Sequence, residues 1–298
     1  MTQVREALTA ETLARLRSME LRARVMVEGH FTGQHRSHFR GASVEFADHR
    51  DYSPGDELRH LDWKLYGRSD RFFIKQFDAE TNMSVLLVLD ASGSMGYASG
   101  PVTKLQYASY LAAGMAYLTV SQGDAPGLAV FDTAVRHWLA PLARPAHVRR
   151  IWEALDNVGP GGETGLSAAL AEAASAMRRR GLIVLLSDLL DEPERVLRSL
   201  AYFRHRGHDA IVFHVLDGAE ASFPFRGPTV FEDLETGERL PTESDDIRAA
   251  YRRQLQAFIG QLRDGCRAVG IDYQTLITDE PFDRALRAYL ARRARLTR

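Results

Sequence analysis

The sequence is poor in cysteine and in long apolar runs. Its 298 residues include one cysteine, Cys266. A single thiol excludes an internal disulfide and a metal site made of several thiolates, and we expect Cys266 to be a small, partly buried apolar side chain. No apolar run approaches the roughly 20 residues that span a bilayer, and the first 25 residues lack the apolar core of a secretory signal. The sequence therefore predicts a cytoplasmic protein without a transmembrane segment.

A large net charge and two hydrolytic motifs are also missing. Lys plus Arg number 38 and Asp plus Glu number 39, so no overall field attracts nucleic acid or an anionic membrane. The absence of a Gly-x-x-x-x-Gly-Lys-Ser/Thr loop excludes ATP hydrolysis through a P-loop. The segment Gly93-Ser94-Met95-Gly96 does not have the spacing of a Gly-x-Ser-x-Gly nucleophile elbow.

From residue 84 onward the chain alternates between short apolar runs and longer helical patterns. This alternation indicates βαβ units and predicts an α/β fold with a doubly wound, mostly parallel sheet flanked by helices. The predicted strands are 85–90, 127–132, 136–140, 182–188, 210–216 and 272–277. The predicted helices are 104–121, 146–157, 166–180, 192–206, 245–269 and one that begins at Pro281.

The rest of the chain has a different character. Residues 1–29 are predicted to form an amphipathic N-terminal helix with Thr9 as its cap, and residues 30–82 a small β-rich subdomain with a strand at 71–77. Residues 83–298 form the predicted α/β domain, into which a hairpin is inserted near 223–242. The turn of that hairpin is Glu235-Thr236-Gly237-Glu238, and Ser244 is expected to cap the helix that follows it.

Asp90 ends an apolar run and is followed by small and hydroxyl residues. Residues 84–95 read SVLLVLDASGSM, and open α/β sheets bind ligands at the carboxyl ends of their strands. Asp90, Ser92 and Ser94 are hard oxygen donors of the kind that Mg²⁺, Mn²⁺ and Ca²⁺ prefer. The same residues could instead cap the next turn and satisfy backbone donors. A metal site therefore needs further donors at neighbouring strand ends.

Two such donors are present. The run LIVLLSD at 182–188 ends in Asp188, and the Gly-rich stretch GPGGETGLSAAL at 159–170 presents Thr164 just before a predicted helix. The set of Asp90, Ser92, Ser94, Thr164 and Asp188 resembles the metal-ion-dependent adhesion site (MIDAS) of von Willebrand factor A (vWA) domains. The resemblance implies Mg²⁺, with Mn²⁺ or Ca²⁺ possible, bound by the three hydroxyls and by the aspartates directly or through water. It also implies one position left for an acidic side chain of a partner.

A second resemblance lies upstream and covers about 50 residues. This segment resembles the bacterial DUF58 family, whose biochemical activity is unassigned and in which a vWA-like portion is the usual companion. The matching residues are Gly33, His35, Ser37, Gly41, Glu45, Phe46, Arg50, Tyr52, Gly55, Asp56, Arg59, Asp62, Trp63, Arg68 and Lys75. The family resemblance implies a MoxR-type AAA+ ATPase as partner. The mixed charges of residues 30–80 either hold this subdomain against the sheet or form a docking surface.

Three functions are compatible with these features. The first is a non-enzymatic, divalent-metal-dependent protein-interaction module that assists the ATPase in complex assembly or chaperone-like work, and this is the function we expect. The second is a metal-dependent phosphoesterase with Asp90 as nucleophile. Such an enzyme needs a carboxylic acid two residues further on, where this chain has Ser92. The third is a passive scaffold whose metal site stays empty.

Overall fold

The computed structural model describes residues 9–32, 46–51, 65–67, 72–77, 83–177 and 179–296. Within these ranges the chain has the predicted α/β fold, in which helices flank a six-stranded sheet. The strands are β1 (Phe46–Asp51), β2 (Phe73–Phe77), β3 (Ser84–Asp90), β4 (Ala125–Phe131), β5 (Val135–Leu139), β6 (Gly181–Ser187), β7 (Asp209–Leu216), β8 (Pro228–Glu232), β9 (Arg239–Glu243) and β10 (Asp272–Ile277). The α-helices are α1 (Ala10–Ala14), α2 (Met19–Thr32), α3 (Lys104–Ser121), α4 (Pro145–Asp156), α5 (Leu166–Ala176), α6 (Pro193–His205), α7 (Gly218–Ser222), α8 (Ser244–Ala268) and α9 (Asp283–Leu296).

The strand order of the central sheet places two strand ends at a topological switch point. The order is β10-β7-β6-β3-β4-β5, with β5 antiparallel to β4 and all other neighbours parallel. The chain leaves β3 toward β4 on one side, whereas β6 lies on the other side and leads to β7. In doubly wound sheets of this vWA- or Rossmann-like kind, ligands bind beyond the carboxyl ends of the strands at such a reversal. Asp90 ends β3 and Asp188 follows β6, so both lie at this position.

The central strands are buried on both faces. Val85, Leu87 and Leu89 of β3 pack in a layer with α1, α2, α3, α4 and α9, and the alternate residues Leu86 and Val88 pack with α5, α6 and α8. A parallel strand covered by helices on both sides meets no water, so its sequence is continuously apolar rather than alternating. Cys266 lies in the second layer and is fully buried, where the sequence analysis expects partial burial. None of the helices in the described part of the chain is long and apolar enough to cross a membrane.

The N-terminal segment forms two helices, so the prediction of one continuous helix is wrong. Thr9 caps α1 as predicted, since its hydroxyl accepts a hydrogen bond from the N–H of Thr12 (3.4 Å). The chain then bends before α2. The guanidinium of Arg22 donates to the carbonyls of Leu13 (3.2 Å) and Leu16 (2.8 Å) and so satisfies acceptors that a continuous helix would have used internally.

Three further helix ends differ from the prediction. Helix α5 stops at Ala176 rather than 180, because the backbone at Met177 is already extended toward β6. Ser244 does not cap α8: it is the first helical residue, and its hydroxyl donates to the hydroxyl of Thr229 (2.8 Å). The last helix begins at Asp283, two residues after Pro281.

The described part of the upstream segment contains an antiparallel pair of strands. β1 pairs with β2, with His49 opposite Lys75, which confirms the strand predicted at 71–77 over residues 73–77. Phe46, Arg50 and Lys75 of the DUF58 signature lie in this pair. The other signature residues, and most of the charges that allow either a packed subdomain or a docking surface, lie outside the described residues.

The predicted hairpin is formed by β8 and β9, which pair antiparallel. The end of β8 next to the turn is anchored by packed rings, since Phe223 lies 5.7 Å from Phe231 and 4.7 Å from Tyr251 between ring centroids. Other apolar side chains of the hairpin face solvent: Val230 and Leu240 are 61% and 64% exposed. The turn between β8 and β9 returns toward the carboxyl edge of the central sheet.

Candidate metal site

Asp90 lies at the end of β3 and is fully buried. Its Oδ1 accepts a hydrogen bond from the N–H of Ser92 (2.9 Å), and its Oδ2 accepts one from the hydroxyl of Ser187 (2.6 Å). The first bond is the turn-capping contact that the simpler interpretation of the sequence expects. Burial and, next, the negative charge of Asp188 raise the pKa of Asp90 to about 7. A cation beside Asp90 would therefore favour its ionised form.

The hydroxyls of Ser92 and Ser94 face each other. Their oxygens are 3.1 Å apart and both side chains are buried. Ser92 precedes a short 3₁₀-helix, Gly93–Gly96, yet its side chain makes no capping hydrogen bond to the described backbone. The capping interpretation is therefore right for Asp90 and wrong for Ser92. Two adjacent hydroxyl oxygens beside a carboxylate can instead act as ligands of a hard cation.

Asp188 is paired with a buried lysine. Lys104, the first residue of α3, has its Nζ 2.8 Å from Asp188 Oδ2 and 2.7 Å from Glu220 Oε1. The lysine side chain is only 1% exposed and that of Asp188 is fully buried. Burial alone would lower the pKa of Lys104, but the two carboxylates outweigh it and raise that pKa above its usual value. Lys104 is therefore charged, and it balances part of the negative charge at Asp188.

Two features at the end of β6 are energetically unfavourable, one at the side chain of Asp188 and one at the backbone of Leu189. Asp188 Oδ1 is buried and has no hydrogen-bond partner among the described residues, which costs about 1–3 kcal/mol for an ordinary polar atom and more for a charged one. The next residue, Leu189, has a φ of 55°, a left-handed conformation that a leucine adopts only at a cost. Its N–H donates to Ser187 Oγ (2.9 Å). Such strain tends to occur at functional sites.

Thr164 reaches this edge of the sheet on the Gly-rich loop between α4 and α5. The N–H of Gly161 donates to the carbonyl of Ala91, and the N–H of Gly93 donates to the carbonyl of Gly162, both at 2.9 Å. These two bonds join the loop to the turn that contains Ser92 and Ser94. Gly162 has a φ of 75°, a conformation in which glycine pays no steric cost.

The side chain of Thr164 is bound to the hairpin. Its hydroxyl donates to Glu235 Oε1 (2.8 Å), and its N–H donates to Glu235 Oε2 (3.2 Å). Both groups are half-buried. Glu235, which belongs to the predicted hairpin turn, therefore contacts one of the predicted metal ligands.

The arrangement suits a hard divalent cation. The oxygen donors offered are those of Asp90, Ser92, Ser94, Thr164 and Asp188, and Asp188 Oδ1 has no hydrogen-bond partner among the described residues. In the described ranges no group of three or more His, Cys, Asp or Glu side chains is placed to hold a metal ion. A cation here would therefore depend on the hydroxyls as much as on the two aspartates.

Sequence reasoning missed four residues that shape this site: Ser187, Lys104, Glu220 and Glu235. Ser187 had a local signal, because it is a hydroxyl residue directly before Asp188 at the end of a buried strand. The other three had none. Their contacts join segments 71 or more residues apart along the chain, and only the fold brings them together.

Comparison with known proteins identifies the family. The family model "Protein of unknown function DUF58" matches residues 48–258. Uncharacterized proteins of Mycobacterium tuberculosis and Mycobacterium bovis are each 26% identical over 287 residues, which is 95% of this chain and 90% of theirs. Among solved structures, the conserved hypothetical protein BatB from Bacteroides thetaiotaomicron is similar in fold, with a TM-score of 0.51 and 16% identity over 72% of this chain and 99% of that chain. The chain belongs to the DUF58 family, whose function is unknown.

Proposed function

We propose that this protein is a non-enzymatic, divalent-metal-dependent protein-interaction module. Mg²⁺, or in its place Mn²⁺ or Ca²⁺, is bound by Asp90, Ser92, Ser94, Thr164 and Asp188, and an acidic side chain of a partner completes the coordination. The main support is the buried Asp188 Oδ1, which lacks a hydrogen-bond partner among the described residues. Asp188 follows β6, which pairs with β3, and the paired hydroxyls of Ser92 and Ser94 lie on the turn that follows β3.

The charges around the site favour an acidic partner group. Three of the five proposed ligands are neutral hydroxyls, and Lys104 already balances charge at Asp188. A dication bound there is only partly neutralised, so it favours a further anion. We propose a MoxR-type AAA+ ATPase as the partner that supplies this anion, as the DUF58 resemblance implies, in complex assembly or chaperone-like work.

The two alternative functions receive less support. A phosphoesterase with Asp90 as nucleophile would need an acid at position 92, but the hydroxyl of Ser92 faces Ser94, and both oxygens of Asp90 already accept hydrogen bonds. A passive scaffold gives no reason for the buried Asp188 Oδ1, which lacks a hydrogen-bond partner in the described part of the chain, or for the left-handed Leu189. Both features destabilise the fold unless they serve a ligand.

The proposal predicts that partner binding requires both the metal and a serine hydroxyl. The tagged chain should retain a purified MoxR-type ATPase in Mg²⁺, and should lose it in chelator and in Ser94→Ala, because the alanine removes one ligand with little change in shape. Ser175→Ala is the matched control, since Ser175 is exposed on α5. Retention that is the same in chelator, Mg²⁺ and Ser94→Ala would contradict the proposal.

A further inference from the structure

The turn of the β8–β9 hairpin places a carboxylate on the proposed metal site. Glu235 accepts two hydrogen bonds from Thr164, one from its hydroxyl and one from its backbone N–H. Leu234 and Thr236 on either side of it are exposed, whereas Glu235 is half-buried. Of these three neighbouring residues, it is the glutamate that turns toward the sheet.

The turn itself fixes the position of Glu235. Asp233 Oδ1 accepts hydrogen bonds from the N–H groups of Glu235 (2.8 Å) and Thr236 (3.1 Å). Gly237, with a φ of 74°, donates its N–H to the carbonyl of Asp233 (2.8 Å). These bonds order the turn before any ligand binds, so the carboxylate is held in place at a low further cost in entropy.

The same turn lies very close to the backbone between the two serines. A Cβ on Gly93 would lie 2.6 Å from the carbonyl oxygen of Leu234 and 3.3 Å from Cγ of Glu235. Only glycine allows this approach without a shift of the hairpin. Glu235 therefore contacts the loop of Thr164 and also borders the turn of Ser92 and Ser94.

The carboxylate of Glu235 is the same kind of group that the proposed function requires from a partner. The Thr164 hydroxyl gives its proton to Glu235, which leaves its oxygen lone pairs for a cation. Glu235 adds a carboxylate next to the neutral hydroxyl ligands proposed at Thr164, Ser92 and Ser94. An acidic partner side chain would have to take the same place.

We propose, on the basis of the function proposed above, that Glu235 is an intramolecular ligand that occupies the partner's place at the metal site. A partner's acidic side chain binds once the tip of the hairpin moves away. Phe231, near the end of β8, stays packed on Phe223, so the movement is confined to the turn between β8 and β9. The exchange replaces one carboxylate by another, so the partner gains access without loss of charge balance at the site.

Water-proton relaxation by Mn²⁺ tests this inference, because it reports how many water molecules the bound ion retains. We compare the wild-type protein with Glu235→Ala, with Gly93→Ala, which displaces the hairpin tip by contact with Leu234, and with the control Glu238→Ala on the same turn. Bound Mn²⁺ should relax water protons faster in Glu235→Ala and Gly93→Ala, by the contribution of about one additional water molecule. Glu238→Ala should match the wild type. Acetate should lower the relaxation in Glu235→Ala and leave the wild type unchanged.

The outcomes separate this inference from the function on which it depends. If Mn²⁺ bound to the wild-type protein relaxes water protons as fast as Mn²⁺ bound to Glu235→Ala, Glu235 is not a ligand. The proposed metal site is not contradicted by that result. If the wild-type protein binds no Mn²⁺, the role of Glu235 and the proposed metal site are both contradicted. Because Glu235 lies in a half-exposed turn, its alanine variant should fold, and it decides the question even where Gly93→Ala does not fold.

Discussion

Replacement of Lys104 by methionine should lower the free energy of unfolding by about 3–5 kcal/mol, the usual effect of removing one member of a buried ion pair. Methionine has a similar length but no charge, so it leaves the buried Asp188 and the partly buried Glu220 without their shared ammonium. Domains of this kind are stable by only about 5–15 kcal/mol. The loss should appear as a large shift of the urea midpoint, measured in the presence of chelator.

The control for this prediction is an exposed ion pair. Arg15, at the C-terminal cap of α1, lies 2.9 Å from Glu11, and their side chains are 77% and 58% exposed. Arg15→Met should cost less than about 1 kcal/mol. Mg²⁺ should restore part of the stability of Lys104→Met, because a cation that binds only the folded state stabilises it by mass action. Equal midpoints for the two variants would show that Lys104 does not neutralise Asp188.

Asp90→Asn should have opposite effects on metal binding and on the stability of the metal-free protein. The affinity for Mg²⁺ should fall by more than about 100-fold, since even the loss of a group behind a metal ligand costs about 10–100-fold. The metal-free fold should be as stable as the wild type or more so, because burial and the charge of Asp188 make an ionised Asp90 unfavourable. The amide can still accept from the N–H of Ser92, and it can donate to the hydroxyl of Ser187.

Calorimetric titration with Mg²⁺ and thermal unfolding in chelator measure these two effects. Asp264→Asn is the matched control, because Asp264 lies on the exposed side of α8. It should leave both quantities unchanged. An Asp90→Asn protein that binds Mg²⁺ as tightly as the wild type would remove Asp90 from the metal site, and a strong loss of metal-free stability would mean that Asp90 serves the fold.

The sequence predicted the sheet well because its central strands are buried on both faces. Burial of this kind produces a continuous apolar run in the local sequence, so β3 and β6 could be recognised without knowledge of their neighbours. Helix α3 matched its predicted bounds because its start is fixed locally, by a capping box between Thr103 and Gln106. The break between α1 and α2 was missed because a side chain of the next helix, Arg22, satisfies the carbonyls there.

The residues of the candidate site that lie at strand ends could be placed near one another from the sequence. Asp90 ends β3 and Asp188 follows β6, and because these strands are adjacent and parallel, the proximity of the two residues follows from the strand order. The partners of these residues could not be predicted in the same way. Lys104 lies 84 residues before Asp188 and Glu235 lies 71 residues after Thr164, and no local pattern distinguishes a lysine at a helix start or a glutamate in a turn as part of a site.

The most direct test of the metal site is anomalous diffraction from crystals soaked in Mn²⁺. We expect an anomalous peak in contact with the hydroxyls of Ser92 and Ser94 and on the Oδ1 side of Asp188, where the described residues provide no hydrogen-bond partner. Soaking at saturating Mn²⁺ that gives no peak there, or a peak only at other residues, would contradict a metal site built from these five residues.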